Sequence, residues 1–159
     1  MKKIILLLTA VATTICAEGV FSLGNKNFGF TLGSSTNFNQ TYTVAGVNVN
    51  YFIADNLSIG TDYKGFFGAS PNIQQVTVPV TYHLPLENTT YTPYIGAFFN
   101  HTFLEEPFKD YNIYGGRAGL SIQTSINSFM SLGWVQEFRN SGENIENQGY
   151  PEISGGFSF

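Results

Sequence analysis

Apolar and polar residues alternate with a period of two along most of this chain, and this alternation constrains the fold more than any other feature. The stretch TVAGVNVNYF, for example, places Val47, Val49 and Tyr51 on one face and glycine and asparagine on the other. Side chains alternate faces along a β-strand, whereas a helix repeats every 3.6 residues. The chain is therefore predicted to be all-β, with strands that have one apolar and one polar face.

The alternation recurs in eight segments whose connections differ in length. The predicted strands lie in NFGFTLG, TVAGVNVNYF, LSIGTDYKGFF, VTVPVTYHL, YIGAFFNHTF, YGGRAGLSI, FMSLGWVQEF and ISGGFSF. The fifth is apolar on both faces, so its orientation stays open. Connections at residues 54–56 and 124–127 are tight, whereas GSSTNFNQT, GASPNIQ, LEEPFKD and RNSGENIENQG are longer and polar. This scheme predicts an eight-stranded antiparallel up-and-down transmembrane β-barrel. Pro79 interrupts the fourth strand, and Pro151 is expected near the outer rim.

The polar faces combine glycines with charges of both signs, which is typical of a narrow lumen and not of a solvated surface. The residues predicted to form a lumen charge network are Asp62, Lys64, Arg117, Glu137, Arg139 and Glu152. The residues predicted to face lipid are Val47, Val49, Tyr51, Ile59, Val78, Val80, Leu120, Leu132 and Trp134.

The turn position fixes which residues of the second and third strands lie opposite each other. With a turn at residues 54–56, Asp62 faces Asn48 and Lys64 faces Gly46. Because an unpaired buried charge is costly, opposite charges on adjacent strands should pair. Our hypothesis is that Arg117 is held by Glu137 and shared with Glu152, which favours a plugged lumen over a pore.

The first residues, MKKIILLLTAVATTICAEG, have the layout of a secretory signal peptide, with two lysines, a short apolar run and a small-residue region. Cleavage after Ala17 divides the chain into a signal peptide (1–17) and a barrel domain (18–159). Lipidation at Cys16 is the alternative. Cleavage after Ala17 removes the only cysteine, and it leaves five of the seven basic residues against eleven acidic ones. This balance argues against nucleic acid as a partner.

Three stretches resemble the small outer-membrane β-barrel family that includes outer-membrane protein X and the membrane domain of outer-membrane protein A. They are YFIADNLSIG, TPYIGAFF and SGGFSF. The resemblance implies a bacterial outer-membrane location, with Gly156, Phe157 and Phe159 as the signal read by the barrel-assembly machinery. It also implies a monomer that meets periplasmic chaperones during biogenesis and then outer-membrane lipids and lipopolysaccharide.

The sequence predicts no catalytic residue, metal site or cofactor. His83 and His101 are the only histidines, and neither has the neighbouring serine and carboxylate of an acyl hydrolase. The acidic residues Glu105, Glu106 and Asp110 lack the spacing of a calcium loop. The favoured function is a non-enzymatic structural or surface-interaction protein, with an unknown extracellular ligand. A narrow channel, a lipid A-modifying enzyme and a soluble lipocalin-like binder stay open as alternatives.

Overall fold

The regular elements of the described residues are all β-strands, as the alternation predicts. The computed structural model describes residues 20–86, 90–140 and 145–159, so the predicted signal peptide lies outside this part. The strands are β1 (Lys26–Asn37), β2 (Gln40–Ala54), β3 (Leu57–Phe67), β4 (Ile73–His83), β5 (Tyr91–Leu104), β6 (Tyr111–Ser125), β7 (Ser128–Asn140) and β8 (Ile145–Ser158). No helix in the described ranges is long and apolar enough to cross a membrane.

Each strand pairs antiparallel with the next, and β8 returns to pair with β1, so these strands form a closed barrel. The predicted eight-stranded up-and-down barrel is thereby confirmed. The turn between β2 and β3 contains Asn56 at a φ of 64°, a left-handed conformation that asparagine tolerates better than most residues. This turn sets the expected register, with Asn48 opposite Asp62 and Gly46 opposite Lys64.

The outer surface of the barrel is apolar and its interior is largely polar. Eight of the nine residues predicted to face lipid point outward and are exposed, and Leu120 points outward but is partly covered. Inward-facing polar residues such as Asn100, Thr102 and Ser121 are buried. This arrangement is the reverse of a soluble barrel and matches an outer-membrane barrel. We call the outward-facing apolar residues the apolar belt.

The fifth strand, whose orientation the sequence leaves open, has a defined inside and outside. Tyr94 and Phe98 point into the lumen and are buried, whereas Ile95 and Phe99 belong to the apolar belt. Aromatic residues therefore occupy both faces of β5.

Pro79 lies in the middle of β4, at a gap in its pairing with β3. The backbone N–H of His83 donates to Asn56 beside β3, and strand geometry directs every second residue the same way. The backbone nitrogen of Pro79, which carries no hydrogen, therefore faces β3. The β3–β4 pairing stops at Ile59–Val80 and resumes in the same register at Asp62–Thr77, so the proline interrupts the ladder without shifting it.

Pro151 has a larger effect, because it lies where β8 separates from β1. The backbone N–H of Ser158 donates toward β7, and that of Phe159 donates toward β1. Pro151 has the same parity as Phe159, so its backbone nitrogen, which cannot donate, faces β1. Pairing between β1 and β8 ends at Leu32–Ile153, whereas β7 and β8 pair from Ser128–Phe157 to Asn140–Ile145. The expectation that Pro151 lies near the outer rim was wrong, since it lies in the middle of β8.

The final residue completes the closure of the barrel. Phe159 and Lys26 exchange two backbone hydrogen bonds, with N···O distances of 2.9 and 3.0 Å. Gly156 points inward, where an added Cβ would lie 2.6 Å from the Phe28 carbonyl oxygen, and Phe157 points outward into the apolar belt. The three residues of the predicted assembly signal therefore also have structural roles at the closing seam.

We expect a charge within the apolar belt to be much more harmful than the same charge above it. Leu132→Arg should destabilise the barrel by about 2 to 4 kcal/mol, because the guanidinium would lie in hydrocarbon. Thr36→Arg, at an exposed outward position near the end of β1, should cost about 0 to 1 kcal/mol. Urea titration in lipid vesicles measures both, and equal costs would contradict the assigned lipid face.

Removal of Phe159 should lower the yield of folded protein in the outer membrane. The truncated chain loses the two closing hydrogen bonds to Lys26 and the aromatic ring at the membrane interface. Heat-modifiable gel mobility in membrane fractions measures the folded amount, with Ile126→Ser at the exposed β6–β7 turn as control. An unchanged folded yield after truncation would contradict a role for Phe159 in closure and assembly.

Candidate functional site

Four charged side chains from three strands meet inside the barrel. Lys64 Nζ lies 2.6 Å from Glu152 Oε2, and Arg117 Nη2 lies 3.0 Å from Asp62 Oδ2. Arg117 Nη1 is also 3.8 Å from Glu152 Oε1, which joins the two pairs. The side chains of Asp62, Lys64 and Glu152 are 4 to 6% exposed and that of Arg117 is 14% exposed. We call these four residues the lumen cluster.

Glycines on the inward faces make room for the long side chains of the lumen cluster. A Cβ added at Gly46 would lie 2.8 Å from Lys64 Cγ, and one at Gly96 would lie 3.3 Å from Arg117 Cγ. The Tyr94 ring lies similarly close to Gly133, so that an added Cβ there would clash with its hydroxyl. These glycines therefore leave space inside the barrel for long side chains of nearby strands.

The predicted pairing of Arg117 with Glu137 was wrong. Glu137 accepts a hydrogen bond of 2.8 Å from the Tyr150 hydroxyl and forms no ion pair with the described residues. Arg139 also lies apart from the lumen cluster. Its guanidinium is 3.8 Å from the centre of the Tyr111 ring and 3.9 Å from Glu146 near the outer rim. The network predicted from six residues therefore contains four of them, including the predicted Arg117–Glu152 contact.

A small polar cavity lies between the lumen cluster and the rim at which Phe21 and Phe159 lie. Its volume is about 60 Å³, and Asp62, Arg117 and Glu152 contribute to its lining. Asn27 Oδ1, His83 Nδ1 and Arg117 Nε also belong to lining residues, and these buried atoms have no hydrogen-bond partner in the described structure. A polar cavity of this size can hold a few water molecules.

An aromatic group closes the barrel below this cavity. The Phe21 ring stacks on His83 at a centroid distance of 4.1 Å and lies within 6 Å of Phe52 and Phe129. Backbone hydrogen bonds hold this segment in place, including Asn56 N to Phe21 O at 2.8 Å. Sequence reasoning missed this seal because Phe21 precedes the first strand and belongs to no alternating pattern.

Two apolar groups occupy the lumen on the side away from Phe21 and Phe159. One contains Tyr42, Val44, Phe66 and Ile73, and the other contains Phe98, Ile113 and Val135. Above them, a cavity of about 150 Å³ is lined by residues that include Glu137, Arg139 and Gln148. The interior is therefore polar only in part, whereas the sequence predicted a polar interior.

The outer rim brings aromatic residues from two separate hairpins together. Phe38, at the β1–β2 turn, lies 5.1 Å from Phe108 of the β5–β6 connection, measured between ring centres. The two side chains are 39 and 45% exposed. Nearby, His101 Nδ1 lies 2.7 Å from Asn112 Oδ1 and its Nε2 lies 3.9 Å from Asp110. An exposed ring pair of this kind can contact an apolar surface or ligand.

Neither histidine is arranged for acyl-transfer catalysis in the described residues. No hydrogen bond joins a serine to His83 or His101 in the described ranges, so the nucleophile–base contact of a triad is not formed there. Glu105, Glu106 and Asp110 are exposed residues of the β5–β6 connection. No group of three or more potential metal ligands lies together in the part of the chain that the structure describes.

Solved structures similar to this chain are small outer-membrane barrels. The N-terminal β-barrel domain of Pseudomonas aeruginosa OprF is 14% identical, with 87% of this chain and 98% of that domain covered at a TM-score of 0.69. Neisserial surface protein A is 15% identical, with coverages of 84 and 94% and a TM-score of 0.59. Ail, the attachment invasion locus protein of Yersinia pestis, is 10% identical, with coverages of 86 and 99% and a TM-score of 0.50.

These similarities establish the fold, which is that of small eight-stranded outer-membrane barrels. No protein-family model matches the chain, and no curated protein matches it at a significant level. The fold expected from the resemblance to small outer-membrane barrels is thus confirmed by the solved structures. The roles of the individual residues depend on the geometry of this chain.

We expect Arg117 to be coupled energetically to Asp62 and not to Glu137. Arg117→Met should cost about 3 to 5 kcal/mol, because it leaves buried carboxylates unpaired. Adding Asp62→Asn should recover part of this loss, whereas adding Glu137→Gln should give a simple sum. Urea unfolding in lipid vesicles supplies both double-mutant cycles. A larger coupling with Glu137 than with Asp62 would contradict the observed pairing.

Proposed function

We propose that this eight-stranded barrel, with the fold and apolar outer surface of an outer-membrane protein, is a non-enzymatic surface-interaction protein. Its barrel would anchor the chain in the bacterial outer membrane, and its outer loops would contact other surfaces or support envelope integrity. The observation that carries this proposal is the filling of the lumen by ion-paired side chains. A plugged lumen leaves the outer rim as the accessible part of the molecule.

The lumen cluster supports a plug because its charges are already satisfied by one another. Lys64 and Glu152 are almost fully buried and only 2.6 Å apart, and Arg117 connects them to Asp62. An ion passing through the lumen would have to separate these charges, and separation of a buried pair is strongly unfavourable. The Phe21 ring at the opposite end from the outer loops provides a second obstruction.

The outer rim supports a surface role. Phe38 and Phe108 come from connections far apart in sequence, and their contact keeps two exposed rings together. Aromatic side chains are enriched where proteins contact partners, because they provide large apolar area at low entropic cost. One structurally similar protein, Ail, is named as an attachment invasion locus protein, which is compatible with a role of this type.

A narrow channel is the second candidate, and one observation favours it. Polar cavities of about 60 and 150 Å³ lie toward opposite ends of the lumen. The lumen cluster and the apolar side chains above it separate them, so rearrangement of these side chains could connect the cavities. A lipid A-modifying activity has less support, because neither histidine is bonded to a serine in the described residues.

For biogenesis, we propose that Gly156, Phe157 and Phe159 are read by the barrel-assembly machinery after periplasmic chaperones deliver the chain. The mature protein would be a monomer surrounded by outer-membrane lipids and lipopolysaccharide. The exposed Phe157 and the closing position of Phe159 support this view, because a terminal strand with accessible aromatic rings can be recognised before the barrel closes.

Attachment of cells to polystyrene tests the proposed surface role. Cells without the protein, and cells with Phe38→Ser/Phe108→Ser, should attach less than wild-type cells, because the exposed ring pair is lost. Thr36→Ser/Lys109→Ser, at exposed positions in the same two hairpins, is the matched control and should attach normally. Heat-modifiable gel mobility must show equal folded amounts of all variants.

Two results would contradict this function. Unchanged attachment of the Phe38→Ser/Phe108→Ser cells, at equal amounts of folded protein, would show that the ring pair does not mediate attachment. A steady, ion-selective conductance of the wild-type protein in planar bilayers would instead favour the channel.

A further inference from the structure

The cavity of about 150 Å³ near the outer rim has polar walls above an apolar group, and we call it the outer cavity. Its lining residues include Gln75 of β4, Ile113 of β6, Glu137 and Arg139 of β7, and Glu146 of β8. Ile113 packs with Phe98 and Val135 in the apolar group below. The outer cavity therefore combines charged and amide side chains with an apolar surface.

Glu137 is a carboxylate without a neighbouring cation in the described ranges. Its Oε1 accepts a hydrogen bond of 2.8 Å from the Tyr150 hydroxyl, and no described lysine or arginine forms an ion pair with it. Arg139, two residues further along β7, is engaged elsewhere, because its guanidinium lies on the Tyr111 ring and near Glu146. A carboxylate can accept about four hydrogen bonds, so Glu137 keeps acceptor capacity for a ligand.

Gln75 contributes a second acceptor to the wall of the outer cavity. It is 3% exposed, and its Oε1 has no hydrogen-bond partner in the described structure. Its amide nitrogen donates to the Thr102 hydroxyl at 3.2 Å, and that hydroxyl donates to Asn100 at 3.1 Å. A hydroxyl has a single hydrogen, so Thr102 has none left for Gln75. The amide is therefore fixed with its nitrogen toward Thr102 and its oxygen left over.

These two acceptors determine the charge and the donors that a ligand needs. Glu137 and Glu146 carry two negative charges against one positive charge on Arg139, so the described lining is unfavourable for an anion. Calcium and magnesium prefer about six or more oxygen ligands, and no three potential metal ligands lie together within the described part of the chain. Water can donate to both acceptors but brings no charge to balance Glu137. A primary ammonium group has both a positive charge and three N–H donors.

We propose that the outer cavity binds a small primary amine that enters from the outer rim. The ammonium group pairs with the Glu137 carboxylate, and Gln75 Oε1 accepts a second N–H of the ligand. The short alkyl chain of the amine lies against Ile113 and the apolar group below it. The site does not involve Phe38 or Phe108, so it is independent of the proposed attachment function.

An NMR titration of the full barrel in lipid nanodiscs tests this site. The probe is n-butylamine at neutral pH and constant ionic strength, and the backbone amide shifts of isotope-labelled protein give both the location and the Kd. Saturable shifts should concentrate on residues of the outer cavity such as Ile113 and Glu137, and not around Phe21 and His83. Absence of saturable shifts at the outer cavity would overturn the proposal.

Two analogues of the probe separate the charge of the ligand from its N–H donors. n-Butanol keeps the alkyl chain without the charge, and butyltrimethylammonium keeps the charge without an N–H donor. Each should bind about tenfold more weakly than n-butylamine, because hydrogen bonds to the carboxylate are lost or weakened. Equal affinity of the quaternary ion would show that the cavity attracts cations by charge alone, and this would overturn the proposed contacts.

Variants of the protein separate the Glu137 contact from the overall negative charge of the outer rim. Glu137→Gln should weaken n-butylamine binding about tenfold, because the ion pair is lost. Glu106→Gln is the matched control, since it removes the same charge at an exposed position outside the described lining, and it should leave the Kd unchanged. Gln75→Leu should weaken binding by a smaller factor than Glu137→Gln does.

Heat-modifiable gel mobility must show that all variants are folded, and the comparison of the three ligands on the wild-type protein does not depend on any variant. An unchanged Kd in Glu137→Gln, or an equal loss of affinity in Glu137→Gln and Glu106→Gln, would overturn the site.

Discussion

The hydrocarbon interior of a membrane offers no hydrogen-bond partner to a peptide group, and this absence determines the rest of the structure. Each strand within the membrane must find its partners in its two neighbours, so the last strand has to return to the first. The reciprocal bonds between Phe159 and Lys26 complete that ring. Because alternate side chains then face lipid, most polar side chains of the membrane-spanning strands lie inside the barrel.

The space inside an eight-stranded barrel is narrow, and the charges placed there must therefore balance. Two cations, Lys64 and Arg117, meet two carboxylates, Asp62 and Glu152, so the lumen cluster is neutral in its ionised form. The cluster connects β3, β6 and β8 across the interior. These strands are not neighbours in the barrel, so no backbone ladder joins them directly. The same contacts form internal packing of the barrel, and under the proposed function they also obstruct the passage of ions.

How much could be predicted depended on whether a feature is local to a hairpin. The turn before Leu57 sets the register of β2 with β3, and the neighbours of Asp62 and Lys64 were predicted correctly from it. The contact of Arg117 with Asp62 was not predicted, because Asp62 lies three strands away and only closure of the barrel brings the two together. The Phe21 seal was also missed, because Phe21 lies outside the alternating pattern and meets Phe52, His83 and Phe129 only in the closed barrel.

At the seam between β1 and β8, Pro151 marks the boundary between the paired and the unpaired parts of the two strands. Below Pro151 the strands are paired, and outward residues such as Leu32 and Ile153 are apolar. Above it, the outward positions of β1 are Ser34 and Thr36, and the Gln148 side chain bridges to the Thr36 carbonyl at 2.8 Å. The ladder thus ends where the belt on these strands ends, and the backbone groups beyond it can reach water. An unpaired edge would be prohibitive in hydrocarbon, but here it lies toward the outer rim, where the polar outward residues of β1 begin, and the wall below it stays paired.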